Sequence, residues 1–277
     1  MNKIEEYKDK IKVLDTFFEK NLFSNYELDY LIKFENLINF SLGDLWKEMD
    51  KVWLEFSLDN TKPFSTQSID KFYSHPVWIL NGIFSSVDID SQRHRLNIAN
   101  YISKLNFHNV CDFGGGFGEL CLNISKYSPF KEIDIIEPYP SKVLQSRIRG
   151  SKNINLKSNI NKKYDVIVAQ DVLEHLEKPI ETAIFLIKSL NLGGQIIFAN
   201  CFHPFILAHL PKNFHLSRSF AWIIQSAGIK YLNSFEDAQH ILIFEKKSNY
   251  INYPLLYSKF FISLIYWRIR SNFSFLK

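Results

Sequence analysis

CDFGGGFGEL, residues 111–120, follows a short apolar run and sets four glycines, Gly114, Gly115, Gly116 and Gly118, around Phe117. Glycines at a strand-to-helix turn let the backbone approach a ligand that side chains would keep away, and the helix that follows offers free N–H groups. The spacing excludes two ligand classes. A dinucleotide fingerprint needs a small residue at its sixth position, where this chain has Glu119, and no Lys-Ser/Thr pair follows for a phosphate loop. The acidic Asp112 at the start of the turn would repel a pyrophosphate and suits a ligand carrying an ammonium group.

Outward from this loop, short apolar runs alternate with helical segments. HNVCDF, EIDIIE, YDVIVAQ and GQIIFAN are strand-like, INLKS adds a short edge strand, and GELCLNISKY, SKVLQSRI and PIETAIFLIKSL have helical spacing. Strand, helix, strand in repetition implies an α/β fold with a parallel sheet and crossover helices. IKYLNSF and QHILIFEKK are separated by too few residues for a crossover and should pair antiparallel. Glu137 closes the second strand, where a carboxylate can accept hydrogen bonds from two ribose hydroxyls.

Before the loop the pattern is helical. Apolar positions recur through IKVLDTFFEKNLF, residues 11–23, and Ser41 with Asp44 forms a capping box ahead of LWKEMDKVWLEF. These features divide the chain into a helical, substrate-binding cap over residues 1–90, a core over 91–247 and an aromatic C-terminal tail over 248–277. In the tail, PLLYSKFFISLIYWRIR puts Lys259, Ser263, Tyr266 and Arg270 on one stripe and Leu256, Phe260, Leu264 and Trp267 on an apolar face. That face could cover the protein's own core, meet a second subunit in a homodimer, or lie on a membrane with Arg268, Arg270 and Lys277 near anionic headgroups.

Net charge is +4, from scattered lysines with no basic block, so no nucleic-acid partner is expected. Three cysteines without C-x-x-C spacing argue against a disulfide framework or a zinc knuckle. The charged N-terminus has no signal-peptide pattern and no long apolar run follows, so a cytoplasmic protein, at most peripheral to a membrane, is expected.

The order D-x-G-G-G-x-G, a strand ending in Glu137, YDVIVAQDVLEHL and then NLGGQIIF resembles the class I S-adenosylmethionine (SAM)-dependent methyltransferases, over residues 95 to about 245. The resemblance implies a Rossmann-like fold whose mostly parallel seven-stranded sheet has an antiparallel last strand, with SAM as cofactor. It implies that Asp112, Gly114, Gly115, Gly116 and Gly118 hold the methionine end, that Glu137 binds the ribose, and that Gln170 borders the cofactor. Asn159 stands where the family often has an acid near the adenine.

If Asp171 opens a helical turn, Asp171, Glu174 and His175 share one face, as a Mg²⁺ or Mn²⁺ site or, equally, as a capping box from Asp171 to Glu174. LPKNFHLSRSFAWIIQSAGI is similar to the segment after the fifth strand in quinone-biosynthesis O-methyltransferases. Those enzymes and the small-RNA terminal 2′-O-methyltransferases carry an acid-x-x-Glu-His element and a later histidine. By that resemblance the metal ligands are Asp171, Glu174, His175 and His215, with Asp171 in place of the families' Glu. A hydroxyl acceptor without a metal needs a base, and His175, His203 and His215 are the candidates. His75, Tyr73 and Trp78, in the aromatic KFYSHPVW, are either packed core or a lid over SAM.

The function implied is methyl transfer to a small-molecule hydroxyl, as in a quinone precursor. A sugar or surface-polysaccharide acceptor, an RNA ribose, and a non-catalytic SAM-fold subunit are the alternatives.

Overall fold

The computed structural model describes residues 9–37 and 39–274, so Lys277 lies outside the described residues. The chain begins with a β-hairpin, β1 (Lys10–Val13) and β2 (Thr16–Glu19), where the apolar spacing suggests helix. Its burial alternates with period two, Ile11 and Val13 pointing inward, and Leu14 takes a left-handed φ of 51° beside Asp15 at the turn. The β-branched Ile11, Val13 and Thr16 favour this outcome over a helix.

Five helices follow: α1 (Asn25–Leu31), α2 (Leu42–Glu55), α3 (Thr66–Tyr73), α4 (Val77–Val87) and α5 (Ile89–Ser103). The Ser41–Asp44 capping box opens α2 as the sequence indicates, and Ser24 with Glu27 forms a second at α1. One apolar core joins the hairpin to α1, α2, α3 and α4. It includes Phe117, Val143, Ile206, Ala208 and Leu210 from the rest of the chain, so this core is continuous with the segment below it.

The remaining chain runs β3 (Asn109–Phe113), α6 (Glu119–Tyr127), β4 (Glu132–Ile136), α7 (Lys142–Ile148), β5 (Ile154–Lys157), β6 (Tyr164–Gln170), α8 (Pro179–Lys188), β7 (Leu190–Ala199), α9 (Leu216–Ile224), β8 (Ile229–Phe235), β9 (Ala238–Lys246) and α10 (Tyr253–Ser274). The sheet order is β5-β4-β3-β6-β7-β9-β8. All neighbours pair parallel except β9, which is antiparallel to both β7 and β8. β4 and β6 are buried along nearly their whole length, Asp134 included, because helices cover each side of the sheet. On one face α5 presents Ile98, Ala99 and Ile102, and on the other α8 and α9 close the core. The chain leaves β3 toward β4 on one side and returns to β6 on the other. A crevice therefore opens at the carboxyl ends of β3 and β6, the usual ligand position in such sheets.

Candidate active site

The glycine loop sits at that crevice because β3 ends there. Gly114 has φ 76° and donates its N–H to the Ile136 carbonyl at 2.8 Å; a Cβ on it would come 2.4 Å from Val172 Cγ2, so only glycine fits. Gly116, at φ 51°, has open space where a Cβ would be, and its N–H donates to Glu137 Oε2 at 2.9 Å. Glu137 Oε1 accepts from the Tyr139 N–H at 3.0 Å, which fixes the carboxylate while leaving each oxygen a lone pair for a ligand hydroxyl.

Asp112, 3% exposed, is the penultimate residue of β3. Burial pushes its carboxyl up to about 6, opposed by a hydrogen bond from the Cys121 thiol at 3.2 Å and by the charge of Arg95 on α5. A buried carboxylate beside an open glycine cradle fits the cationic end of an amino-acid-bearing ligand. Gln170 ends β6 and donates to Asp171 Oδ2 at 3.2 Å, whereas Asn159 is exposed beyond β5.

The cap closes on this edge. Tyr139, two residues past Glu137, donates to Asp70 Oδ1 and stacks on Tyr73 with ring centroids 5.9 Å apart. Phe117 lies against α4 where Gly82 lacks a side chain.

The DVLEH segment does not open a helix. Asp171 takes φ 55° and is exposed, and only a single 3-10 turn, Leu173–His175, forms after Val172, so the capping box is not made. Glu174 is 1% exposed; its Oε1 accepts the Cys201 N–H at 2.8 Å, and Oε2 has no partner among the described residues. Burial, reinforced by the charge of Asp171, pushes its carboxyl up to about 8.

His175 sets Nδ1 3.3 Å from the Ala208 carbonyl, and its ring meets Trp78, Tyr73 and His209 at centroid distances of 5.7, 6.4 and 4.9 Å. Desolvation, then the His209 ring, lowers its pKa to about 3. His209 sets Nδ1 2.7 Å from the His203 carbonyl, and burial lowers its pKa as well. Both Nδ1 atoms therefore carry their proton toward a carbonyl, which leaves the Nε2 lone pairs free. One ligand atom from each of Glu174, His175 and His209 lies within 4.8 Å of the others. Tyr73 Oη, Trp78 Nε1 and Asn200 Oδ1 are likewise buried without a partner among the described residues.

This grouping differs from the set read from the sequence. Among the described residues Asp171 and His215 do not join it, and His209 does. His215 Nδ1 lies 2.9 Å from Ser263 Oγ on α10, with its ring on Phe260, so it anchors the tail. His203 is exposed and contributes its carbonyl, and His75 accepts the Val77 N–H at 3.0 Å amid the Tyr26, Tyr30 and Phe56 rings of the cap. The cap positions His209. Asp50 on α2 accepts the Leu207 N–H at 2.6 Å, Asn60 donates to the Leu207 carbonyl at 2.9 Å, and Trp46 stacks on Phe205. From the other side the Leu210 N–H reaches the Glu174 carbonyl at 3.3 Å. The sequence did hold a signal for His209: histidines recur at 203, 209 and 215, all between β7 and α9.

The model of a family described as a methyltransferase domain matches residues 87–248, more than half of the chain. No curated protein gives a significant match. Among solved structures, an O-methyltransferase family protein from Burkholderia thailandensis is similar over 88% of this chain and 81% of its own, at 13% identity and a TM-score of 0.51, a likeness of fold. YcgJ from Bacillus subtilis is similar over 52% of this chain and 71% of its own, at 16% identity and a TM-score of 0.42. The N-methyltransferase NodS from Bradyrhizobium japonicum WM9 is similar over 58% and 99%, at 17% identity and a TM-score of 0.43.

Proposed function

The chain belongs to the methyltransferase-domain family and is a SAM-dependent methyltransferase, and from that premise we propose that it methylates a hydroxyl oxygen of a small molecule seated between the cap and the sheet edge. SAM supplies a methyl on a sulfonium, and attack by the acceptor oxygen forms the O–C bond, breaks the S–C bond and releases S-adenosylhomocysteine (SAH). Asp112 and the glycine loop hold the methionine end, and Glu137 holds the ribose, with Gln170 at the border of the cofactor.

The observation that carries the oxygen acceptor is the Glu174, His175 and His209 cluster, buried beside the aromatic walls of Tyr73 and Trp78. A hydroxyl is a poor nucleophile until its proton has somewhere to go. His209, with Nδ1–H on the His203 carbonyl, offers Nε2 to take that proton. Flat aromatic walls whose Tyr73 Oη and Trp78 Nε1 have no partner among the described residues favour a hydroxylated aromatic ring, of which a quinone precursor is one kind. The cap over residues 1–90 then acts as the acceptor lid and positions chiefly by orientation.

A metal-assisted version is favoured by one further observation: Glu174 Oε2 is buried with no partner among the described residues, and one ligand atom of Glu174 lies within 4.8 Å of one from each of His175 and His209. Of the Mg²⁺ or Mn²⁺ expected from the sequence, two imidazoles and a carboxylate suit Mn²⁺ better, and they suit Fe²⁺ or Zn²⁺ as well. Bound by Glu174, His175 and His209, such an ion would lower the pKa of the acceptor hydroxyl.

The test is transfer of labelled methyl from SAM into an extract of the native source, divided into small-molecule, lipid, polysaccharide and RNA fractions, with and without EDTA. Label in the small-molecule fraction is expected, reduced at least a hundredfold by H209N with SAH affinity unchanged. Label confined to polysaccharide or RNA, or full activity of H209N, would overturn the assignment. Loss of transfer with EDTA, restored by Mn²⁺, selects the metal-assisted version.

A further inference from the structure

The last helix carries two apolar sides, and only one is covered. α10 docks through Leu256, which is fully buried, and through Ser263, whose hydroxyl lies 2.9 Å from His215 Nδ1 and 2.6 Å from Ser219 Oγ on α9. Lys259 adds a hydrogen bond to the Trp222 carbonyl at 2.8 Å. Ser263, a lone polar residue within FFISLIYW, thus marks the side turned toward the protein.

The opposite side presents Phe261, Ile262, Ile265, Tyr266 and Ile269, each 52–61% exposed. Their spacing of i, i+1, i+4, i+5 and i+8 aligns them in one stripe along the helix. The same helical geometry sets Arg268 at one border of the stripe and Arg270 at the other. A contiguous apolar strip of this kind facing water marks an interaction surface.

Charge names the partner. From Lys246 to Lys277 the chain has four lysines, two arginines and no acidic residue. A second copy packed across a two-fold axis would bring arginine to arginine with no carboxylate of this segment to pair them. An anionic headgroup layer meets both arginines while the acyl region takes the stripe. Tyr257 and Tyr266, with apolar rings and polar tips, suit that boundary. No helix among the described residues is long and apolar enough to cross a membrane, so the contact lies in the plane of the surface.

We propose that α10 is a membrane-surface anchor that lies on an anionic lipid bilayer, its stripe toward the acyl chains and Arg268 and Arg270 at the phosphates. This site is independent of which acceptor is methylated.

The test is co-sedimentation of the full-length protein with vesicles of phosphatidylcholine alone and of phosphatidylcholine with phosphatidylglycerol, alongside sedimentation velocity without lipid. Binding is expected only to the anionic vesicles, weakened about fivefold for each arginine lost in R268Q and R270Q. It should vanish in I262E/I265E, with SAH affinity unchanged as proof of an intact fold. Equal binding to neutral vesicles would overturn the proposal. So would a dimer that I262E/I265E dissociates, combined with no vesicle binding, because the stripe would then belong to a second copy.

Discussion

Replacing Glu174 by Gln should make the protein more stable at pH 8 and less active, two effects that seldom go together. The carboxylate is 1% exposed and one oxygen has no partner among the described residues; burial, with the repulsion of Asp171, pushes the carboxyl up to about 8 from the ordinary 4.5. Because the folded protein holds this proton more tightly than the unfolded chain does, its contribution to stability is complete below about pH 4.5. It is lost progressively as the pH rises from about 4.5 to about 8. At about 1.36 kcal/mol per pH unit, the whole span sets a ceiling of about 5 kcal/mol. Local relaxation that recovers about half of it leaves a penalty on the order of 2–3 kcal/mol. For a chain of this size that is a rise in Tm of about 5–10 °C once the charge is gone. Gln keeps the carbonyl oxygen that accepts the Cys201 N–H, so the substitution removes charge without removing the bond. Calorimetric scans of both proteins in EDTA should coincide near pH 5 and diverge above pH 6, with E174Q the higher. A Tm for E174Q at pH 8 no higher than that of the parent would refute the claim that a strained, ionised carboxylate lies beneath the cap. Repeating the scans with Mn²⁺ should raise only the parent if Glu174 is a ligand.

Glu137→Ala should weaken SAH binding at least tenfold in calorimetry, since it removes a charged acceptor held by the Gly116 and Tyr139 N–H groups; unchanged affinity would rule out the ribose contact. Asp50→Ala frees the Leu207 N–H and loosens the loop that carries His209, so kcat should fall about tenfold while SAH affinity stays level. A drop in SAH affinity instead would mean that the cap acts on the cofactor. Ser263→Val strips the partner from His215 and should lower stability by about 1–3 kcal/mol in urea titration without changing transfer; a matching loss of transfer would return His215 to the site.

The sheet was legible because its signals are local. The parallel strands are short, mostly apolar runs, and helical segments follow β3, β4 and β6, so the alternation and the parallel direction can be read from the sequence, while the strand order cannot. The hairpin was not, for a reason visible in its residues. Ile11, Val13, Leu14, Phe17 and Phe18 satisfy a helical spacing as well as an alternating one, and the choice falls to Leu14, which takes a left-handed φ that periodicity cannot reveal. Asp171 misleads in the same way. Its spacing to Glu174 promises a capping box, yet an aspartate tolerates left-handed φ, and at 55° it turns the chain outward before any helix can start.

The candidate site divides along the same line. Asp112, the glycines and Glu137 come from strand ends, where register alone brings them together, so one strand-turn-helix unit suffices to read them. The Glu174, His175 and His209 cluster depends on contacts between distant parts of the chain: the Leu207 backbone held by Asp50 and Asn60, and Leu210 held by the Glu174 carbonyl. Nothing near His209 in the sequence announces those partners, while His215, the last residue of the more recognisable LPKNFH, is drawn away by Ser263 on the last helix. If catalysis uses His209, cap and chemistry are therefore one unit. Substitutions at the cap residues that grip the loop, far from any cofactor contact, should then change the rate of transfer before they change the binding of SAM.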